Sequence, residues 1–447
     1  MKKSDYNFIW EVRNGKKIAF NSMTCALAEI EDDFTEILDS IENIRYEKLD
    51  ENRKELVDNM KDNGFLVDRD FNESKLLKFR HLTGKFNQSG LGLTIAPTLN
   101  CNFKCVYCYE TPKQNKMSLE NQENLIKFVE SYINTIEHLS ITWYGGEPLL
   151  YKDIIYNLSE KLIKMCETNN VTYSAYIITN GYLVDEDVVD NFKKYKITGA
   201  QLTVDGPEEI HNKRRILKSG NKDNFQKVFN SIKMLEENGI NVGVRVNVDK
   251  SNISYVQELI DIFKENNMIK SNIHFGQVTP YTESCKSISH SCYDTEEFSD
   301  VLMELQDKLN SNGFKAMGYP YYPGIKANYC CSDQINSFVI DPEGYMYKCW
   351  NEVGEISKSI GNINNLENQK ISNDNLEYMT WTPFESEECS ECKLLPVCMG
   401  GCPYFRVNNI QSQCERWKFN LEEILKYTYD SYLDDSERFE KAFADIQ

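Results

Sequence analysis

The chain has 447 residues, 41% of them hydrophobic, which is enough to build cores in two or three domains. Its formal net charge of −19 excludes sequence-independent nucleic-acid binding, whose affinity comes from a basic surface. No apolar run approaches a bilayer span and the basic start MKKSDYNFIWEVRNGKK has no apolar stretch after it, so a soluble, cytoplasmic protein without a membrane partner is expected.

The first 90 or so residues open with YNFIWEV and KKIAFN, which read as a hairpin around Arg13-Asn14-Gly15-Lys16 with an Asn-Gly turn. DDFTEILDSI and ENRKELVDNMKDNG follow as two helices, then FLVDRDF as a returning strand. From 91 to about 280, β-rich runs alternate with helical ones: LGLTIAPT, a helix near 118–136, ITWYG, a helix near 152–169, TYSAYIITNG, a helix near 185–195, and GAQLTVDG. A helix over 224–237, NVGVRVNVD, a helix over 252–265 and NIHFGQVTP complete six βα steps, the pattern of parallel strands joined by helical crossovers. A partial barrel and an open doubly wound sheet both fit. In NVGVRVNVD, Val242, Val244, Val246 and Val248 alternate with Gly243, Arg245, Asn247 and Asp249, so one face packs under helices and the other offers polar groups to a lumen. A cavity for a polar ligand explains such a face, and so does a satisfied buried ion pair.

Working groups in these folds sit at the carboxyl ends of the strands. The first strand is followed by CNFKCVYC, with Cys101, Cys105 and Cys108; the second ends in Tyr144-Gly145-Gly146-Glu147-Pro148, the third in Thr179-Asn180-Gly181, and the fourth in Asp205-Gly206-Pro207. Glycine and asparagine are ordinary turn residues, but four such ends beside a thiol triplet point to a site. The two glycines allow close approach to a ligand, and Glu147 supplies an acceptor for an ammonium group. Fifteen cysteines without an export signal argue for a reducing compartment, where thiols bind metal. A four-iron cluster takes four thiolates, so three leave one iron open; the spacing fits paired zinc knuckles poorly. On the triplet alone, zinc and an electron-transfer cluster remain competitors.

CNFKCVYCYE, GGEP, ITNG and VDGPEEIHNKRR, in this order on successive strands, resemble the radical S-adenosylmethionine enzymes. The resemblance implies a partial (β/α)6 TIM-like barrel of α/β class over 91–281. It implies a [4Fe-4S] cluster on Cys101, Cys105 and Cys108 whose open iron is chelated by S-adenosylmethionine, with Tyr107 near the adenine. Gly145, Gly146 and Glu147 would meet the methionine ammonium, and Arg215, with Arg214 as the neighbouring alternative, its carboxylate. An electron from the cluster would then give a 5'-deoxyadenosyl radical that takes hydrogen from the substrate, with a flavodoxin- or ferredoxin-type reductant as electron source. After a linker with a helix at 282–327, the cysteines of 328–447 resemble the SPASM extension, which holds two further [4Fe-4S] clusters and ends here in a C-terminal helix. The resemblance gives the outer one Cys389, Cys392, Cys398 and Cys414. The inner one takes Cys349, Cys402 and one of Cys330 and Cys331, since adjacent side chains in an extended segment point apart unless the loop bends; Cys285 or Cys292 could contribute. Cys25 and Cys166 lie outside every motif and read as small core hydrophobes.

Residues 1–90 resemble the winged-helix-like peptide-recognition domain of maturases of ribosomally made peptides, which implies a precursor whose leader adds at a sheet edge. Sulfatase-type formylglycine-generating enzymes share the barrel and both clusters, but there an aspartate follows the GxxxxC cysteine, where this chain has Trp350. A peptide maturase forming an intramolecular cross-link by two-electron oxidation is therefore expected, with thioether placed ahead of carbon–carbon because a thiol could bind an open inner cluster. Asp205 is the candidate for proton handling. The alternatives are formylglycine formation and a non-catalytic iron–sulfur electron-transfer protein.

Overall fold

The computed structural model describes residues 1–314, 322–368, 371–408, 410 and 414–434. Parts of the linker and of the C-terminal segment named above therefore lie outside the described residues. An N-terminal antiparallel sheet is built from β1 (Asn7–Glu11), β2 (Lys17–Asn21) and β3 (Ala26–Ile30), in that order. The hairpin expected from YNFIWEV and KKIAFN is β1–β2, closed by a short 3-10 turn over Arg13–Gly15. Strand β3 was not anticipated, and the expected returning strand FLVDRDF forms only Leu66–Val67, which pairs with Lys2–Lys3 and not with the hairpin.

Helices α1 (Asp32–Ser40) and α2 (Glu51–Asp62) cover one face of this sheet, where Ala19, Ile30, Phe34, Ile37, Val57 and Phe65 form a separate core. Asp50 starts α2 by accepting from the Arg53 N–H at 2.9 Å. The other sheet face, through Ile18 and Phe20, packs on Trp417, Leu421 and Ile424 of the C-terminal helix Trp417–Asp434. The N-terminal unit is thus clamped to the end of the chain. A further helix, α3 (Glu73–Lys85), has no counterpart in the sequence reading and leads into the central sheet.

That sheet carries β4 (Gly90–Ile95), β5 (His138–Trp143), β6 (Thr172–Ile178), β7 (Ile197–Thr203), β8 (Asn241–Val248) and β9 (Asn272–Gln277), all parallel and neighbours in chain order. Sequential neighbours mean that every crossover runs the same way. The sheet is therefore singly wound and curls, which decides for the partial barrel over the doubly wound sheet. Helices α4 (Leu119–Glu130), α5 (Lys152–Thr168), α6 (Glu186–Lys194), α7 (Asn224–Glu237) and α8 (Val256–Glu265) cover its outer face. Val242, Val244, Val246 and Val248 lie in this core, and a slip of one residue in β8 would forfeit roughly 1.5–3 kcal/mol for each side chain turned out of it. Asn252 does not start α8 as expected: its buried amide joins the Asp205 and Asn247 carbonyls at 2.8 and 2.9 Å, tying the ends of β7 and β8 together.

β4 and β9 do not pair. Instead β10 (Ser337–Ile340) extends the sheet parallel to β4, followed by antiparallel β11 (Tyr345–Tyr347) and β12 (Gly361–Asn362). This pairing carries the segment from Cys330 to Cys349 to the first barrel strand. Among the described residues no helix is long and apolar enough to cross a membrane.

Candidate active site

The loop after β4 is fixed before any cofactor is considered. Thr98 donates to the Asn115 carbonyl at 2.5 Å, and the Leu99 N–H reaches the Asn115 side chain at 3.0 Å. Beyond Cys101, Phe103–Cys105 pairs antiparallel with Arg215–Leu217, placing Cys105 opposite Arg215. The Val106 N–H then bonds the Arg214 carbonyl at 3.0 Å and the Cys108 N–H the Cys105 carbonyl at 3.3 Å. Cys101 accepts the Phe103 N–H at 3.3 Å and is free, like the other fourteen cysteines. Burial, with Glu147 adding to it, pushes the Cys101 thiol up to about 12, and burial also raises Cys105 and Cys108. Such thiols give thiolates only against a cationic partner.

The glycines after β5 line the cavity and also let the chain pass close to itself. A Cβ on Gly145 would lie 2.3 Å from the Thr98 carbonyl, and one on Gly146 2.5 Å from that of Asn100. What approaches them closely is the chain's own turn into Cys101, held by Gly146 N–H to Thr98 at 3.2 Å and Glu147 N–H to Asn100 at 2.9 Å. Glu147 is fully buried; one oxygen accepts from Leu149 N–H at 3.0 Å and the Thr179 hydroxyl at 2.7 Å, the other from Asn180 N–H at 2.8 Å. Its carboxylate therefore splices the ends of β5 and β6 instead of facing the cavity, because three internal donors already satisfy it.

The two arginines separate cleanly. Arg214 pairs with the buried carboxylate of Asp249 at 2.9 and 3.0 Å and with Ser251 at 2.6 Å. The polar end of β8 is thus partly the buried ion pair that the sequence left open. Arg215 faces the cavity and donates to the Tyr107 hydroxyl at 2.8 Å, while its Nε has no partner. Tyr107 in turn donates to Asp205 through a short contact, and Asp205 also accepts from the Asn247 N–H at 3.0 Å. Asp205 is fully buried and does not line the cavity. The expected proton-handling carboxylate thus orients Tyr107 and has no direct path to a substrate.

One cavity of about 760 Å³ joins all of this. Cys101, Cys105, Cys108, Gly145, Gly146 and Arg215 line one end, Cys330, Cys331 and Cys349 another, with Arg245 and Asn247 on the β8 wall. Cys330 and Cys331 both line the cavity: the 3-10 turn Cys331–Asp333 bends the chain after Cys330, whose thiol meets the Ser332 hydroxyl at 3.0 Å. Cys402 lies close enough to Cys349 to raise its thiol after burial, the main cause; Cys331 contributes as well. Cys389 and Cys392 act likewise on Cys414. Cys398 packs in the short helix Leu395–Cys398. Cys285 and Cys292 are turned to the Thr282 and Ile288 carbonyls and do not line the cavity, Cys166 is in the α5 core, and Cys25 packs against the N-terminal sheet. Among the described residues no three His, Cys, Asp or Glu side chains converge on one metal ion. A four-iron cluster instead spreads its thiolates over separate irons, and three half-buried thiols free of disulfides around a cavity suit it.

Residues 95–263 match the family model of the Radical SAM superfamily. The chain carries a radical SAM domain. Members of that superfamily bind S-adenosylmethionine and a [4Fe-4S] cluster, and the relatives that this chain resembles are catalytic radical SAM enzymes. It is 27% identical over 379 residues, 79% of this chain and 96% of the relative, to a cysteine-type anaerobic sulfatase-maturating enzyme of Clostridium perfringens. It is 22% identical over 426 residues, 86% of this chain and 85% of the relative, to the radical SAM cyclopropyl synthase TigE of Paramaledivibacter caminithermalis. The structure of Streptococcus suis SuiB bound to its precursor peptide SuiA superposes with a TM-score of 0.53 at 17% identity, over 92% of this chain and 97% of that one.

The cavity also holds residues that no motif singled out. Glu110, two positions after Cys108, is half-buried beside Tyr144, and loss of solvation pushes its carboxyl up to about 7. Tyr144 also bonds Tyr109 through a short contact and packs on Trp350 with ring centroids 4.9 Å apart. Position next to the cysteine triplet was the available signal for Glu110. Gln201 and Gln277 gave none, since only the curl of the sheet turns them inward.

Proposed function

We propose that this radical SAM enzyme is a peptide maturase, acting in the cytoplasm on a ribosomally made precursor to form an intramolecular cross-link, thioether ahead of carbon–carbon. The observation that carries the reading is the single cavity walled by two thiol sets, Cys101, Cys105 and Cys108 on one side and Cys330, Cys331 and Cys349 on another. In this reading the first set holds a [4Fe-4S] cluster with one iron open to S-adenosylmethionine. Cys349 and Cys402, with one or both of Cys330 and Cys331, hold an inner auxiliary cluster, and Cys389, Cys392, Cys398 and Cys414 an outer one. When bound, these groups supply a radical that takes one hydrogen atom and an acceptor for the electron left behind.

The chain's own residues bind and orient. Arg215 offers its unpartnered Nε to the cofactor carboxylate, and Tyr107, held by Asp205, fixes the wall against which the adenine would lie. Trp350 and Tyr144 close the wall between the thiol sets and exclude water. Formation of a cross-link removes two hydrogens, so one electron and one proton must leave after the atom transfer. The likeness to SuiB over 92% of the chain has to include most of the N-terminal unit, which supports a peptide reader there; a leader would add at a free edge of the β1–β3 sheet. Trp350, in place of the aspartate of sulfatase-type enzymes, disfavours formylglycine formation.

The test is anaerobic. The protein is reconstituted, reduced with a flavodoxin- or ferredoxin-type donor, and given S-adenosylmethionine and the precursor encoded beside the gene. A peptide lighter by two hydrogens with matching 5'-deoxyadenosine is expected. 5'-Deoxyadenosine with an unchanged peptide would sink this precursor, and no cleavage by a fully loaded protein would sink the catalytic reading.

A further inference from the structure

Arg245 stands out among the cavity walls because, among the described residues, no acidic side chain pairs with it. It lies in mid-strand on β8, between Thr203 of β7 and His274 of β9, two residues below Asn247 at the strand end. Two strand residues place it about 6.6 Å deeper in the barrel than the level where cofactor-binding groups gather. Its Nε donates to Asn247 Oδ1 at 2.7 Å, which fixes the plane of the guanidinium and leaves the two terminal nitrogens uncommitted. Among the described residues it forms no ion pair. The neighbouring wall groups Gln201, Thr203 and Gln277 are neutral, and the one acidic wall residue, Glu110, lies beside Tyr144 with its Oε2 unpartnered and forms no ion pair with Arg245. Its His274 neighbour is driven down to about 4, first by burial and then by Arg245, so it stays uncharged near neutrality.

The fold makes room for this guanidinium. A Cβ on Gly276 of β9 would sit 2.4 Å from Nη2 and 2.6 Å from Cζ, so the group lies flat against the glycine backbone. A half-buried cation with a fixed plane and two free donors is costly to keep unpaired and matches one ligand geometry, the two oxygens of a carboxylate. We propose that Arg245 is a carboxylate-binding site in the lumen and that it takes an acidic group of the substrate. This rests on the peptide-maturase reading for the source of the carboxylate: a glutamate or aspartate side chain, or a chain terminus, reaching below the cofactor. The cofactor's own carboxylate is the competing source, and depth in the barrel favours the substrate.

The full-length reconstituted protein, saturated with S-adenosylmethionine under anaerobic conditions, would be compared as wild type, R245Q and G276A. N-acetylglutamate serves as the minimal carboxylate probe, read by saturation-transfer NMR, and S-adenosylmethionine affinity by calorimetry. The three atoms nearest the G276A methyl are Nη2, Cζ and Nε of Arg245, so the substitution displaces the guanidinium from its place on Asn247 while keeping its charge. Both variants should lower the affinity for N-acetylglutamate at least tenfold and change that for S-adenosylmethionine less than twofold. Equal probe binding in all three proteins would overturn the carboxylate site. A tenfold loss for S-adenosylmethionine in both variants, with the probe unaffected, would overturn the substrate assignment. Neither readout needs turnover, so failure to modify a precursor would count against the maturase reading and not against Arg245.

Discussion

The two thiol-bearing regions are built in opposite ways. Cys101, Cys105 and Cys108 hang from regular structure: a parallel strand before them, the Phe103–Cys105 ribbon paired with Arg215–Leu217, and turns bonded to Thr98, Asn115 and Arg214. Cys389, Cys392, Cys398 and Cys402 sit instead among single helical turns, Glu387–Ser390, Leu395–Cys398 and Pro403–Val407, with Met399 in the left-handed region at φ 50°. Strand hydrogen bonds preset the first group. The second has few long-range backbone pairings, so a bound cluster would supply much of what holds it together.

The largest effect should come from replacing Cys101, Cys105 or Cys108 by Ala. Formation of 5'-deoxyadenosine is expected to fall to background by chromatography, with one cluster's iron lost but the far-ultraviolet circular dichroism and melting temperature close to wild type. Cys349→Ala and Cys402→Ala should do the reverse. Formation of 5'-deoxyadenosine should persist while the peptide stays unmodified by mass, and the melting temperature should drop by several degrees. Equal thermal loss in both sets would break the contrast between a preset and a cluster-held region.

Arg214 and Arg215 sharpen the comparison within one motif. Arg214→Met leaves Asp249 buried and unpaired and should cost about 3–5 kcal/mol by denaturant unfolding. Arg215→Gln removes a charged hydrogen bond worth about 1.5–3 kcal/mol, so S-adenosylmethionine affinity should fall roughly 10- to 100-fold by calorimetry with little change in unfolding midpoint. Cys166→Ala is the smallest: a buried core thiol in α5 whose loss should cost about 1–2 kcal/mol and leave product formation unchanged.

Much of this was legible in the residues. The six β-rich runs and their helices are the six barrel strands and their outer layer, and the valine alternation in β8 identified its core face. What the residues did not reveal was contact over distance. The three donors to the Glu147 carboxylate come from Leu149, Thr179 and Asn180, two of them in another loop. The backbone that packs on Gly145 and Gly146, Thr98 to Asn100, lies more than forty positions earlier. The opposed side chains expected of Cys330 and Cys331 assumed an extended segment, and a single 3-10 turn removed that assumption.

By itself the sequence determined what depends on short range: thiol spacing, the beat of strand and helix, and the polar strand ends. Each of these is written in a handful of neighbouring residues, through side-chain periodicity and turn chemistry. Tertiary structure decided that the strands wind in one direction, that β10 adds beside β4 and brings Cys330 to Cys349 to the first thiols, and that Arg215 and Arg245 face the cavity while Arg214 is consumed by Asp249. Those choices depend on which distant surfaces bury one another and which donors meet across the gap, and no local pattern encodes that.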